Sequence, residues 1–190
     1  MIHETIKDDE YLNESAKRWL KYWDSNFDVI SSTEYSEDYF TGLDSLHEAM
    51  SVGRVNDPIR ERQGFKKETF FNALTLKDEL YTYKFMSNRF PNCSIERSGF
   101  YYYPPGEGMR WHTNADTPYL RCYLNYSQNG DSYFKYYDQE SKKTVVDMDF
   151  PGWNIRHFHI NKEKDNLFWH SVYSRTHRIS VGFRIINNLK

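Results

Sequence analysis

Residues 93 to 114 read CSIERSGFYYYPPGEGMRWHTN, and the period of this stretch decides the fold. Cys93 and Ile95 alternate with Ser94 and Glu96, the run Phe100 to Tyr103 suits a half-buried strand, and Pro104-Pro105-Gly106 breaks it before a second strand-like piece. The pattern continues to residue 186. Strands are expected at 93–103, 108–114, 118–126, 131–138, 143–150, 153–160, 167–174 and 177–186, with Gln128-Asn129-Gly130-Asp131 and Pro151-Gly152 among the turns. Eight short strands preceded by helices predict a mainly β protein: a double-stranded β-helix, or jelly roll, with about three N-terminal helices as a buttress on one sheet.

Working back from Pro91, the period changes to that of helices. Leu12, Ala16, Trp19, Leu20 and Trp23 fall on one face of a helix over 10–23. Residues 24–41 lack a sustained period and read as a loop with at most a short strand. A second helix starts near Asp44, and a third runs over 74–90 and stops before Pro91. Between them SVGRVNDPIRERQGFKK, residues 51 to 67, reads as a solvated charged loop, with a substrate-facing lid as the alternative. At 190 residues the chain suits one domain, with 1–92 as the helical and loop buttress and 93–186 as the β core.

Composition excludes more than it assigns. A formal net charge of −2 gives no overall footprint for nucleic acid or an anionic membrane, although a local basic groove would not show in that sum. The 16 Tyr, 13 Phe and 5 Trp are accounted for mainly by sheet and core, with base stacking the minor reading. Two cysteines, Cys93 and Cys122, allow one disulfide at most and form no metal-binding pair. No secretory leader is expected and no apolar run approaches the ~18 residues of a membrane span, so a soluble, cytoplasmic protein is expected.

The chemistry concentrates in GEGMRWHTNAD, 106–116, and FWHSVYSRTHRISVGFR, 168–184. On a strand, His112 and Asn114 share a face, and His170 arrives from a later strand. Two imidazoles and an oxygen donor on separate strands are what a non-haem iron site needs. Asp116 is in phase, but on a straight strand it would lie ~13 Å from His112 at ~3.3 Å per residue, so it reaches a metal only if the chain turns at Ala115. His157 and His159 form a rival period-two pair without an acidic neighbour, and His47 reads as a surface residue. Arg178, Ser180 and Arg184 share one side of the last strand, and an inward guanidinium needs an anion, which a carboxylate supplies in bidentate geometry.

These residues carry a resemblance. The C-terminal half resembles the Fe(II)- and 2-oxoglutarate-dependent dioxygenases, whose pattern is HxD, a distal His, and an Arg followed two positions later by Ser, Thr or Asn. YYYPPGEGMRWHTN is similar to the NxYxPG-to-HxD segment of the AlkB-type enzymes, and RISVGFR to their RxNxxxR. The short gap from His170 to Arg178, together with GDSYFKYYD and PGWNIRHF, is closer to the prolyl-hydroxylase branch. The resemblance covers about residues 93 to 186. It implies Fe(II) held by His112, His170 and one oxygen ligand, and 2-oxoglutarate held by Arg178, Ser180, Arg184, Tyr101 and Tyr103. It also implies oxidative decarboxylation to succinate and carbon dioxide, coupled to hydroxylation of a substrate C–H bond.

This sequence departs from the pattern at one position, where Asn114 replaces the carboxylate. Either Asn114 or Asp116 is expected to complete the site; water or an anion in that place, and loss of redox chemistry, are the remaining outcomes. The alternatives to an oxygenase are a cupin-like protein that holds a metal or small anion without turnover, and an AlkB-like nucleic-acid-directed protein. The last rests on Arg54, Arg60, Arg62, Lys66 and Lys67 and is disfavoured by the acidic balance. The prime substrate is not specified by any of these residues.

Overall fold

The computed structural model describes residues 1–26, 35–56 and 76–187. Strand β1 (Ile2–Thr5) is followed by helices α1 (Glu10–Asn26), α2 (Glu37–Thr41), α3 (Leu43–Val52) and α4 (Leu76–Arg89). Then come strands β2 (Cys93–Tyr103), β3 (Glu107–His112), β4 (Leu120–Ser127), β5 (Ser132–Asp138), β6 (Lys143–Met148), β7 (Gly152–His159), β8 (His170–Ser174) and β9 (Arg178–Asn187). One sheet has the order β1-β7-β4-β9-β2 and the other β3-β8-β5-β6, and every pairing is antiparallel. From β2 onward the chain passes back and forth between the sheets, the winding of a jelly roll. Among the described residues no helix is long and apolar enough to cross a membrane.

Alternation along β9 shows how sequence sets the layers. Ile179, Val181, Phe183 and Ile185 face outward and pack with Leu12, Ala16, Trp19 and Trp23 of α1 and Met86 of α4. Arg178, Ser180, Gly182 and Arg184 therefore face the space between the sheets. Burial of an aliphatic or Phe side chain in this layer contributes about 1.5–3 kcal/mol.

Helices cover both sheets rather than one. Trp111 and Trp169 pack with Leu46 and Ala49 of α3, and Phe40 of α2 packs with Tyr133 and Tyr173 on the outer face of the four-stranded sheet. Helix α2 occupies part of the segment expected as a loop. Ser36 caps it, its side chain accepting from the Tyr39 N–H, and Glu37 and Asp38 complement the first-turn dipole. Five residues are too few to show a helical period, which is why the sequence hides it. Strand β1 was likewise unexpected; it exists through its pairing with β7. The basic segment read as a loop or lid lies mostly outside the described residues. Arg54 is described and is paired with Glu48.

Gly108 shows how closely α2 and β8 approach β3. A methyl group there would collide with the Val172 carbonyl oxygen and lie 2.9 Å from the Phe40 ring. Gly108→Ala is expected to lower stability by about 1–3 kcal/mol, as overpacking of a tight contact does. Urea unfolding measures it, and an unchanged midpoint would contradict so close an approach.

Candidate active site

The two imidazoles meet because β3 carries a bulge. Met109 pairs with Val172, and His112 with His170, so β3 spends three steps where β8 spends two. The extra residue returns His112 to the inner face, while Trp111 turns outward and donates its indole N–H to the Gly42 carbonyl. The two rings lie 4.2 Å apart between centroids at 54°. Each Nδ1 is tied to a backbone carbonyl two residues earlier: His112 to Arg110 at 2.7 Å, His170 to Phe168 at 2.9 Å. With Nδ1–H donating, each Nε2 carries a lone pair, the tautomer a metal-ligating imidazole requires.

His170 is 2% exposed, and burial, reinforced by neighbouring His112, holds its imidazole well below the usual histidine range. It is therefore neutral at neutral pH. Phe134 stacks on the ring at 5.3 Å and 19°, and Phe158 and Phe168 surround it. These rings keep water off the imidazole and fix its plane.

Asn114 does not lie on the strand. β3 ends at His112, and Asn114 adopts a left-handed backbone, φ 54°, which Asn tolerates better than most residues. The Val55 carbonyl accepts from the N–H groups of Thr113 at 3.2 Å and Asn114 at 2.8 Å, and the Thr117 N–H closes the turn onto the Asn114 carbonyl at 3.1 Å. This turn, not strand phase, brings the Asn114 amide Nδ2 within 3.1 Å of His170 Nε2. Asp116 is carried away: its carboxylate is exposed and accepts from Asn56 Nδ2 at 3.2 Å, outside the cavity lining. The chain does turn after Asn114, but the turn directs Asp116 to solvent.

His112, His170 and Asn114 line a cavity of about 300 Å³ between the sheets. The facing wall, on the five-stranded sheet, carries Tyr101, Tyr103, Tyr123, Arg178 and Ser180. Burial lifts the Tyr123 phenol to about 12, so it stays protonated as a donor. Arg178 is 1% exposed, lies over the Tyr103 ring at 5.3 Å, and donates from Nε to Asp149 Oδ2 at 2.9 Å. Its Nη1 is buried with no acceptor among the described residues. Ser180 Oγ donates to Asn125 Oδ1 at 2.7 Å.

Asp149, Arg156 and Asn125 escaped the sequence reading. Asp149 is fully enclosed between Arg178 and Arg156 and also accepts from Ser132 Oγ at 2.5 Å. Burial alone would raise its pKa, but Arg178 and Arg156 outweigh it and hold the carboxyl well below the usual range. Arg156 donates to Asp147 Oδ2 at 2.6 Å, and Asp147 contacts His3 of β1 at 2.9 Å. The available signal was phase: in TVVDMDF both acids alternate with apolar residues on one strand.

Arg184 is not part of the cavity lining and pairs with Glu96 at 2.8 Å. His159 is exposed, and His157 lies beside Phe90. His47 is exposed on α3, and His177 is hydrogen-bonded to the Tyr102 hydroxyl at 2.6 Å.

Two imidazoles that line one cavity, with the Nδ1 of each committed to a backbone carbonyl, can hold a divalent ion through Nε2 once the Asn114 amide turns from His170. Among the described residues no group of three His, Cys, Asp or Glu comes together, so the third protein donor at hand is the neutral Asn114 amide. The unmet Arg178 Nη1 fits an anion on the opposite wall.

No protein-family model matches the chain, and no curated protein matches it. Among solved structures it is similar to a prolyl hydroxylase from Trichoplax adhaerens, solved with a peptide fragment of the hypoxia inducible factor oxygen degradation domain. Identity is 15%, TM-score 0.48, with 97% of this chain and 83% of that chain covered. It is also similar to a Pseudomonas putida prolyl-4-hydroxylase at 12% identity and TM-score 0.47, covering 99% of this chain and 88% of that one.

Proposed function

We infer that the chain is an oxygenase dependent on Fe(II) and 2-oxoglutarate, acting as a single cytoplasmic domain on a substrate not yet identified. The observation that carries this reading is one cavity with two buried imidazoles on one wall and, on the other, a buried guanidinium with an unmet donor. His112 and His170 would hold the metal through Nε2, with Asn114 as third donor once its amide presents Oδ1; Asp116 drops out of the set. Arg178 would take the distal carboxylate of the co-substrate, with Tyr101 and Tyr103 beside it. Iron and 2-oxoglutarate would supply the oxidative chemistry, yielding succinate, carbon dioxide and a hydroxylated product.

The chain's own residues do the rest. Asp149 holds Arg178 by Nε and so turns the Nη edge of the guanidinium to the cavity. Ser180 is already engaged by Asn125, so it orients the wall and donates to the co-substrate only by exchanging that partner. The aromatic rings around His170 exclude water from the imidazole pair.

Anaerobic calorimetry with Fe(II) and 2-oxoglutarate, followed by succinate formation in air, tests the reading. Arg178→Gln should weaken 2-oxoglutarate binding by about tenfold or more, the value of a charged hydrogen bond. Equal binding by wild type and variant would overturn the assignment.

A second reading, a binding protein of the same fold without turnover, is favoured by the neutral Asn114. It predicts metal and anion binding without succinate. The two meet in one variant: Asn114→Asp is expected to tighten Fe(II) binding by at least about tenfold, because a carboxylate adds a full charge beside the ion. If metal affinity does not change, Asn114 is not a ligand.

A further inference from the structure

Two arginines on the inner face of the five-stranded sheet take no part in the site described so far. Arg121 on β4 and Arg184 on β9 are directly opposite each other in the ladder. Their strand neighbours Cys122, Leu124, Phe183 and Ile185 all pack in the layer under the helices, so both arginines leave the sheet on the other face. Tyr123, Asn125 and Ser180 of the cavity lining project from that same face. Like charges directly opposite on one face repel. An anion between such a pair relieves the repulsion.

The described residues supply half of what is required. Arg184 pairs with Glu96 at 2.8 Å, yet its Nε is buried without an acceptor. Arg121 is 4% exposed; its Nη2 donates to the carbonyl and hydroxyl of Thr117, both neutral, and its Nε is also buried without an acceptor. No carboxylate among the described residues pairs with Arg121. Two guanidinium charges and one carboxylate leave a net single positive charge, with Arg121 buried and the side chains of Arg184 and Glu96 28% and 48% exposed. A guanidinium enclosed as that of Arg121 is costly unless an anion meets it.

We propose that Arg121 and Arg184 form a second anion subsite, on the same inner wall as the cavity, that takes a carboxylate of the prime substrate. The net single charge matches a carboxylate rather than a phosphate dianion, and two unmet Nε–H donors on residues directly opposite in the ladder suit its two oxygens. The subsite also has a mechanical tie to the metal-binding turn. Arg121 grips Thr117, and the Thr117 N–H closes on the Asn114 carbonyl. A carboxylate docked on Arg121 is thereby registered against the segment that carries Asn114. The substrate class is a carboxylate bearer, either a free small acid or an acidic side chain in a peptide. The inference rests on the oxygenase reading only for calling this carboxylate the substrate's.

The test is binding, without turnover, followed by the Nε–H signals of Arg121 and Arg184 in ¹⁵N-correlated NMR spectra of the full chain. Benzoate is the small-acid probe; a blocked pentapeptide with one central Glu, and its Gln counterpart, are the peptide probes; inorganic phosphate is the dianion. Saturable shifts of both signals are expected with benzoate, or with the Glu peptide and not the Gln peptide, and the responding probe names the source. Arg184→Gln should weaken that binding by about tenfold. Arg178→Gln should leave it unchanged, which separates this subsite from the co-substrate clamp.

Arg121→Gln removes both the cation and the grip on the turn, so Thr117→Val serves beside it: it loses one contact to the turn, keeps the charge, and should still bind. Three results would overturn the proposal: no saturable shift with any carboxylate probe, phosphate binding more tightly than carboxylate, or binding lost in Arg178→Gln and kept in Arg184→Gln. The last of these would leave the oxygenase reading standing while removing this subsite.

Discussion

Asp149→Ala should cost about 3–5 kcal/mol of folding stability, the penalty for stranding buried charge after one partner is removed. Asp149 stands between Arg156 and Arg178, at 0% and 2% side-chain exposure, and bonds to both. With the carboxylate gone, Arg156 keeps Asp147, but Arg178 keeps only the Tyr103 ring among the partners described. Chemical denaturation measures the loss; a change below about 1 kcal/mol, the scale of an exposed ion pair, would show that the network is solvated.

Acid provides a second measurement. The folded-state pKa of Asp149 is depressed by Arg178 and Arg156 against the opposing effect of burial. Such a group contributes stability above its unfolded value of about 3.9, and that contribution fades as pH falls through the folded value. Wild-type stability should therefore fall with pH below about 4, and Asp149→Asn should lack this component of the slope.

His112→Ala or His170→Ala should weaken Fe(II) binding by more than about 100-fold, since loss of an outer partner alone typically costs 10–100-fold. The two rings are cross-strand partners with both Nδ1 atoms committed to carbonyls, so each contributes one Nε2 and no other described imidazole is placed to replace it. His159→Ala and His177→Ala are the controls, the first exposed and the second held by Tyr102. Anaerobic titration decides; loss in the controls equal to that in the pair would move the metal elsewhere.

The strands were legible because period two is written into residues such as Ile179, Val181, Phe183 and Ile185, whose burial depends on one face of one sheet. The pairing of His112 with His170 was legible only as proximity. The bulge that achieves it leaves no trace in period, because Arg110 and Trp111 break phase by one residue. Strand phase does not account for the place of Asn114: its amide reaches the cavity through a left-handed turn hooked to the Val55 carbonyl, a contact between distant segments. The same turn carries the Asp116 carboxylate to solvent. Arg178 was legible as a cation seeking an anion, but not its partner Asp149, since an acid on a strand reads as surface until the fold closes over it.

The sequence TVVDMDF has a consequence beyond charge. On β6 and just after it, Val146, Met148 and Phe150 are 50%, 45% and 51% exposed, while Asp147 and Asp149 point inward. A slip by one residue would bury the three apolar side chains and release both acids to water, the direction that apolar burial alone favours. The correct alignment of this edge strand is therefore held by ions rather than by oil. Inward acids of this kind also make a sheet edge a poor template for another chain, so the network that orients Arg178 doubles as protection against edge-to-edge aggregation.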